Sequence, residues 1–183
     1  MAALRKASAY SKRSVTPYTR ISKKKHKSYI KMVPPQKIVK FTMGRENLYN
    51  SGKLPYVLTL ISRENVQLRH NALESCRQFI NKKLVTELND QFLFKVIPFP
   101  HHIQRENKMI TGAGADRMQT GMQLSFGKAM GKSAILKPGS TIFVLSLPSV
   151  KAVSSARHAL KQIKPKLPCK TKILYEDQSL KKN

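Results

Sequence analysis

Two long stretches of this chain contain basic residues and no carboxylate. No Asp or Glu precedes Glu46, and the 59 residues between Asp116 and Glu176 contain none. A compact fold that gathers so much charge of one sign repels itself unless counterions or an anionic partner surround it. Because the chain has 35 Lys and Arg against 9 Asp and Glu, a formal charge of +26, the sequence predicts a polyanionic partner.

Nucleic acid is the first candidate for that partner, because cations that neutralise phosphates release condensed counterions. A membrane surface is the second candidate, but no apolar run approaches the roughly 18 residues of a spanning helix. Arg5 and Lys6 are not followed by the apolar segment of a signal peptide, so we expect an intracellular protein. Cys76 and Cys169 are far apart, which favours two reduced thiols over a disulfide or a zinc site.

Residues 1–36 form a predicted basic arm that precedes the folded domain. The arm has few large apolar residues, so it cannot offset its own ordering entropy and is expected to become ordered on a partner. Tyr10, Tyr18 and Tyr29 are spaced among its charges. Their rings could stack on unpaired bases or pack on the domain, and the sequence leaves both alternatives open.

Residues 37–176 are predicted to fold as one α+β domain, followed by a polar tail at residues 177–183. Apolar and β-branched runs predict strands at 38–41, 56–61, 92–99, 133–136, 141–147 and 172–175. The strands at 133–136 and 141–147 are expected to pair as antiparallel neighbours through a turn at 137–140. This order of elements favours an antiparallel-rich sheet sandwich with two helices packed on one face.

The two helices are predicted from apolar residues that recur at three- and four-residue spacing. One helix lies within 65–88 and the other follows Pro148 and ends before Pro165. The predicted buried stripes consist of Leu73, Cys76, Ile80, Leu84 and Leu88 in the first helix and Val150, Val153, Ala156, Leu160 and Ile163 in the second.

A glycine-rich segment from Arg105 to Lys128 separates two strand-like regions. Its four glycines let the backbone come close to another surface, and its basic residues outnumber its two acids. A dinucleotide fingerprint would require a third glycine at position 117, which is Arg117, and no Walker A loop is present. The sequence therefore predicts a long loop at 104–127 that approaches an anionic surface, RNA being the best candidate.

No combination of side chains in the sequence marks a catalytic or metal site. His101 and His102 would point to opposite faces of a strand and cannot chelate one metal, so we expect surface or RNA-facing imidazoles. Asp116 could act as a base, although pairing with Arg117 or capping the loop backbone is the better interpretation. A free RNA-processing or RNA-modifying enzyme that uses Asp116 or His102 stays open as the alternative.

The motifs of this loop resemble the archaeal and eukaryotic large-subunit ribosomal protein family L-ten-e, related to bacterial L-sixteen. The resemblance is carried by REN-K at 105–108, GAGADR at 112–117, QTGM at 119–122 and FGK at 126–128. It continues at PYTR 17–20, KIVK 37–40, VQLRH 66–70 and LE 73–74 with Arg77, so it covers nearly the whole chain. Gln123 departs from the Arg that the family often has after the Gly-Met pair.

The resemblance implies a structural protein of the large ribosomal subunit in the cytoplasm, positioned between the base of the central protuberance and the peptidyl-transferase centre. It implies no enzymatic activity, cofactor, metal, membrane contact or homo-oligomer. The implied partners are large-subunit rRNA, tRNA acceptor arms, neighbouring ribosomal proteins and late assembly factors. A missing C-terminal extension points to the archaeal type.

The resemblance also assigns residues to these contacts. The implied rRNA-binding residues are Arg20, Lys37, Arg69, His70, Arg77 and Lys128. The basic blocks without acids add Arg13, Lys23, Lys24, Lys25 and Lys132 to the predicted rRNA-binding residues, and no specific target follows for the lysine run at 23–27. The implied residues near A- and P-site tRNA are Lys108, Met109, Gly112, Gly114, Asp116, Arg117, Gln119 and Gly121.

Replacing both Lys108 and Arg117 with Ala is expected to impair tRNA-dependent steps or late subunit assembly more than folding. Both cations lie in a segment that contributes little to a core, so their removal weakens contacts with phosphates and leaves the packed domain intact. Translation assays on subunits that carry the variant, beside thermal unfolding of the isolated chain, measure the two effects. A large loss of thermal stability would contradict this assignment.

Overall fold

Two antiparallel sheets and the helices packed on them form the fold in a computed structural model, which describes residues 6–12, 17–19, 30, 32–107, 112–114 and 127–178. The helices are α1 Ser8–Ser11, α2 Glu46–Asn50, α3 His70–Leu88 and α4 Val150–Gln162, with a 3-10 turn at Lys164–Lys166. The strands are β1 Thr42–Gly44, β2 Tyr56–Ser62, β3 Val66–Arg69, β4 Leu93–Val96, β5 His102–Glu106, β6 Lys128–Leu136, β7 Thr141–Leu147 and β8 Thr171–Asp177. The predicted α+β class is confirmed.

The larger sheet has five strands in the order β1-β4-β7-β2-β8, and every neighbouring pair is antiparallel. Its centre is strand β7, which is apolar almost throughout because both of its edges are paired and its side chains are largely buried. Leu145 faces Leu58 on one side and Phe94 on the other. The Phe94 and Phe143 rings meet edge to face with centroids 5.5 Å apart.

The smaller sheet has three strands in the order β3-β6-β5 and presents two chemically different faces. Leu68 and its cross-strand neighbour Ala134 are buried in the core that both sheets share. The alternate positions carry Gln67, Ser133 and Gln104, which are also buried. The Oε1 atom of Gln67 accepts hydrogen bonds from Ser133 and Gln104 at 3.3 and 3.4 Å, so this polar layer is internally bonded.

The predicted pairing of 133–136 with 141–147 is wrong, although the turn at 137–140 is present. Strand β6 pairs with β3 and β5, whereas β7 pairs with β2 and β4 in the other sheet. The turn binds the end of β2: the Gly139 N–H donates to the Ser62 carbonyl at 2.8 Å, and the Ser62 N–H donates to the Ser140 carbonyl at 2.9 Å. The chain therefore passes from one sheet to the other at this turn.

Other strand boundaries also differ from the sequence prediction. Residues 38–41 are not a strand, and pairing begins only at Thr42. Strand β4 ends at Val96 instead of reaching 99, since Pro98 and Pro100 have no N–H to donate to a neighbour. Residues 66–69 form strand β3 before the helix starts, and β5 and most of β6 escaped prediction because polar residues interrupt their apolar alternation.

The two long helices bury the predicted stripes with one exception. In α3, Leu73, Cys76, Ile80 and Leu84 are fully buried and Leu88 is partly buried. In α4, Val150 is 65% exposed, while Val153, Ala156, Leu160 and the following Ile163 are buried. Helix α4 packs on β2 and β7, and α3 packs beside α4 and against β3 and β6. The helices are further joined by a hydrogen bond from Lys83 Nζ to Gln162 Oε1 at 2.9 Å.

Replacing Gly44 with Ala is expected to destabilise the fold more than replacing Gly139 with Ala. Both glycines have positive φ, +89° and +83°, so an L-residue costs about 1–2 kcal/mol of backbone strain at either site. At Gly44 a Cβ would lie 2.0 Å from the Phe92 carbonyl oxygen, whereas at Gly139 it would meet nothing within 4 Å. Denaturant unfolding is expected to show about 2 kcal/mol of additional destabilisation for Gly44→Ala. Equal losses for the two variants would refute the packing argument.

Candidate nucleic-acid interface

Three cations surround His70 at the start of helix α3. Strand β3 ends at Arg69, and α3 begins at the next residue, so His70 enters the helix directly from the sheet. His70 is 5% exposed, and a Cβ at Gly131 would lie only 3.3 Å from the Nε2 atom of its ring. Lys37 and Lys132 join Arg69 within electrostatic range of the ring. We call Lys37, Arg69, His70 and Lys132 the α3 cluster.

The electrostatics of the α3 cluster favour an anion. Burial, followed by the charges of Lys37, Arg69 and Lys132, lowers the pKa of His70 to about 4, so the ring is neutral at pH 7. The first turn of α3 contains no acidic residue, and its N-cap makes no side-chain hydrogen bond. The positive end of the helix dipole therefore adds to the field of three cations. Four of the predicted rRNA-binding residues are thus brought together.

Arg77 lies further along α3 and is already bonded within the protein. Its Nε and Nη2 atoms donate to the two carboxylate oxygens of Glu74 at 2.7 and 2.6 Å, and Nη1 contacts the Met43 sulfur at 3.1 Å. This pair lowers the pKa of Glu74 and raises the pKa of Arg77. Arg77 lines a groove of about 420 Å³ together with the exposed Lys40. Lys40 is the cation of this groove that the residue predictions missed.

Pairing of strands β5 and β6 holds the two ends of the glycine-rich loop together, and we call this paired base of the loop its neck. Glu106 pairs with Lys128 across the two strands, and Lys128 is exposed. A Cβ at Gly127 would lie 2.6 Å from the Glu106 carbonyl carbon, so only glycine permits this approach of the two chains. Gly112 is exposed and Gly114 half-buried. The remaining predicted loop residues lie outside the described part: Lys108, Met109, Asp116, Arg117, Gln119 and Gly121.

Part of the predicted arm packs on strand β5 beside this neck. The Tyr18 N–H donates to His102 Nδ1 at 2.9 Å, and the Ile103 N–H donates to the Tyr18 carbonyl at 2.8 Å. The Arg105 guanidinium lies 3.8 Å from the centroid of the Tyr18 ring. The packing alternative for this tyrosine is therefore observed. Sequence patterns gave no signal for this contact, because its partners are 84 residues apart.

His102 is buried, which corrects the expectation of two surface imidazoles. Only His101 is exposed, as opposite faces of an extended segment require. Burial and the charges of His101 and Arg105 lower the pKa of His102. A neutral ring whose Nδ1 already accepts a main-chain hydrogen bond holds the arm on β5 and is not free to act as a base.

Several other predictions can be placed only in part. Arg13, Arg20, Lys23, Lys24, Lys25 and Tyr29 lie outside the described ranges. Tyr10 packs on the domain, with its ring centroid 5.3 Å from the Arg69 guanidinium.

Among the described residues, Cys76 and Cys169 are free thiols, and no group of His, Cys, Asp or Glu could hold a metal ion. None of the helices in that part of the chain has the length and apolar character to span a membrane.

Comparison with known proteins gives concordant matches over most of the chain. The sequence model of ribosomal protein L16p/L10e matches residues 17–174. The chain is 42% identical over 174 residues to the large ribosomal subunit protein uL16 of Sulfolobus acidocaldarius, covering 93% of this chain and 92% of the relative. It is 40% identical over 174 residues to uL16 of Staphylothermus marinus and 40% over 173 residues to uL16 of Methanococcus maripaludis strain C7, with 94% of each chain covered in both comparisons.

The isolated domain is expected to lose stability as the pH falls from about 6.5 to 4, and His70→Gln should remove much of that loss. The unfolded chain takes up a proton near pH 6.5, whereas folded His70 takes it up only near pH 4. The unfolded state therefore binds more protons in this interval, and the free energy of unfolding falls by up to about 3 kcal/mol. Denaturant unfolding at a series of pH values measures this slope.

The exposed His158 on α4 provides the matched control for that experiment. His158→Gln should leave the pH dependence of stability unchanged, because this side chain is exposed and lies outside the α3 cluster. A His70→Gln profile that coincides with the profile of the unaltered chain would show that the α3 cluster does not hold His70 neutral.

Proposed function

The chain belongs to the ribosomal protein L16p/L10e family, and we propose that it is a structural, non-enzymatic constituent of the large ribosomal subunit that binds large-subunit rRNA. The relatives are themselves named as large-subunit proteins. The observation that carries the rRNA contact is the α3 cluster, where Lys37, Arg69 and Lys132 lie within electrostatic range of His70 at a helix N-terminus whose first turn has no acidic residue. A phosphate bound at this cluster would be attracted by the three cations and by the positive end of the helix dipole at the same time.

The exposed basic surface supports contacts with RNA on more than one side. Helix α4 is followed by the 3-10 turn, and this part of the chain lies within the long block that has no acid. Its exposed cations are Lys151, Arg157, Lys161, Lys164 and Lys166. A protein exposed to water on that side would be expected to mix charge signs, so a one-signed surface supports burial among phosphates.

The glycine-rich loop is proposed to approach the acceptor arms of A- and P-site tRNA near the peptidyl-transferase centre. Support comes from the closed neck at Glu106 and Gly127, which lets a rigid sheet carry the loop as a projection. The residues proposed to lie near tRNA are those named from the family resemblance. Peptide-bond chemistry needs no residue of this chain, since its role is positional.

Neighbouring ribosomal proteins and late assembly factors are the other proposed partners. The catalytic alternative loses support from His102, whose Nδ1 holds the backbone of Tyr18. An enzyme would require a free acid or base near bound RNA. The ribosomal proposal instead predicts no turnover on isolated RNA, and Asp116→Ala would then abolish no measurable reaction.

A tagged chain is expected to co-sediment with large ribosomal subunits. A double variant that combines Lys37→Ala with Lys132→Ala should bind large-subunit rRNA more weakly. The double variant removes two phosphate-neutralising charges, so the logarithm of its affinity for large-subunit rRNA should fall less steeply with the logarithm of salt concentration. The slope should decrease by roughly two units. Binding of the purified chains to large-subunit rRNA over a salt series measures it.

Lys95→Ala is a suitable control, because Lys95 is half-exposed and its charge is paired with Glu46 at 2.9 Å. Its salt slope should match that of the unaltered chain. Recovery of the tagged chain only in the soluble fraction at low salt would refute the ribosomal proposal, whereas an unchanged slope for the double variant would refute the role of the α3 cluster alone.

A further inference from the structure

Phe99, which follows the end of strand β4, has an aromatic side chain exposed to solvent. The Phe41 and Phe99 rings are stacked with their centroids 5.6 Å apart and their planes 27° apart. Phe41 is half-buried against the core, but Phe99 is 55% exposed. Burial of an apolar side chain stabilises a fold, so the exposure of about half of Phe99 leaves that stabilisation unused.

The position of Phe99 is fixed by its neighbours in the chain. Pro98 and Pro100 flank it, both are buried, and both restrict the backbone around the ring. The segment is bonded at each end: the Ile97 N–H donates to the Ile142 carbonyl at 3.1 Å, and His101 Nδ1 donates to the Phe99 carbonyl at 3.0 Å. A ligand that stacks on this ring would therefore meet a surface that loses little conformational entropy on binding.

The charge around this ring identifies the kind of ligand. The exposed Lys40 precedes Phe41, and no Asp or Glu lies within four residues of Phe41 or Phe99 in the sequence. Asp90 is the acid among the residues that line the same groove as Lys40. A second exposed pair on the same sheet has the opposite setting. The Tyr56 and Tyr175 rings are stacked at 6.4 Å and Tyr175 is 44% exposed, but Glu176 and Asp177 follow it directly. The sequence around the first pair therefore favours a phosphate more than the sequence around Tyr175, where two acids accompany the nearby Arg157.

We propose that Phe99, backed by Phe41, is a stacking platform for an unpaired base of rRNA, with Lys40 placed to contact the adjoining phosphate. This inference rests on the proposed rRNA binding and adds a contact of a different chemical kind. Stacking on an aromatic ring recognises a base that has left its helix, whereas the α3 cluster recognises phosphates. An apolar side chain of a neighbouring protein is the competing occupant.

The first test measures affinity of the purified full-length chain for large-subunit rRNA. Phe99→Leu keeps an apolar side chain and is expected to bind roughly 5- to 100-fold more weakly, while Phe99→Tyr binds like the unaltered chain. The slope of affinity against salt should stay unchanged, because no phosphate contact is lost. Tyr175→Leu is the matched control and should bind normally. Unfolding curves of the Leu variants verify that each folds.

The second test uses ultraviolet cross-linking of assembled large subunits, followed by mass spectrometry. A nucleotide adduct on Phe99, with none on Tyr175, supports the platform. A protein cross-link at Phe99, together with undiminished rRNA affinity of Phe99→Leu, would overturn it in favour of a protein neighbour. Failure of the unaltered chain to bind rRNA would instead refute the proposed function, so the two failures are distinguishable.

Discussion

Mutual repulsion of cations is the constraint on which the rest of this structure depends. The folded chain must hold a formal charge of +26 together with only nine carboxylates, so the cohesive free energy has to come from apolar burial. Both sheets and both long helices contribute to one continuous apolar core. The cations are consequently displaced to the helix surfaces, the strand ends and the segments between them.

Two of the ion pairs in the described part of the chain connect neighbouring segments of the fold. Glu74 binds Arg77 through two hydrogen bonds, and Glu46 binds Lys95. These pairs fasten α3 and β4 to nearby segments, since Arg77 also reaches Met43 and Lys95 lies opposite Thr42. The cations of the α3 cluster, by contrast, surround a histidine that burial keeps uncharged. The protein thus pairs carboxylates with cations where its own elements meet, and it gathers several cations around His70, where it is proposed to meet RNA.

The sequence predicted those elements whose signal is local and apolar. Strand 56–61 and the α3 stripe from Leu73 to Leu84 followed from alternation and from helical spacing. Strand β5 carries His102, Gln104 and Arg105, whose polar character hides its period. The pairing of β6 and β7 was predicted wrongly, because a turn specifies that the chain reverses and not which sheet each strand joins. Lys37, Arg69, His70 and Lys132 were each predicted to bind rRNA, but their grouping in the α3 cluster was not predicted, because they come together only through tertiary structure.

The closed neck of the glycine-rich loop limits how far the tip of the loop can lie from the sheet. Twenty residues separate Glu106 from Gly127, and a chain fastened at both ends must go out and return within its contour length. Its tip can therefore reach at most about 35 Å from the sheet, half of a fully extended chain. Each inserted residue would increase this maximum reach by only about 1.7 Å, so small insertions change it little. Each deleted residue would reduce the maximum reach by the same amount.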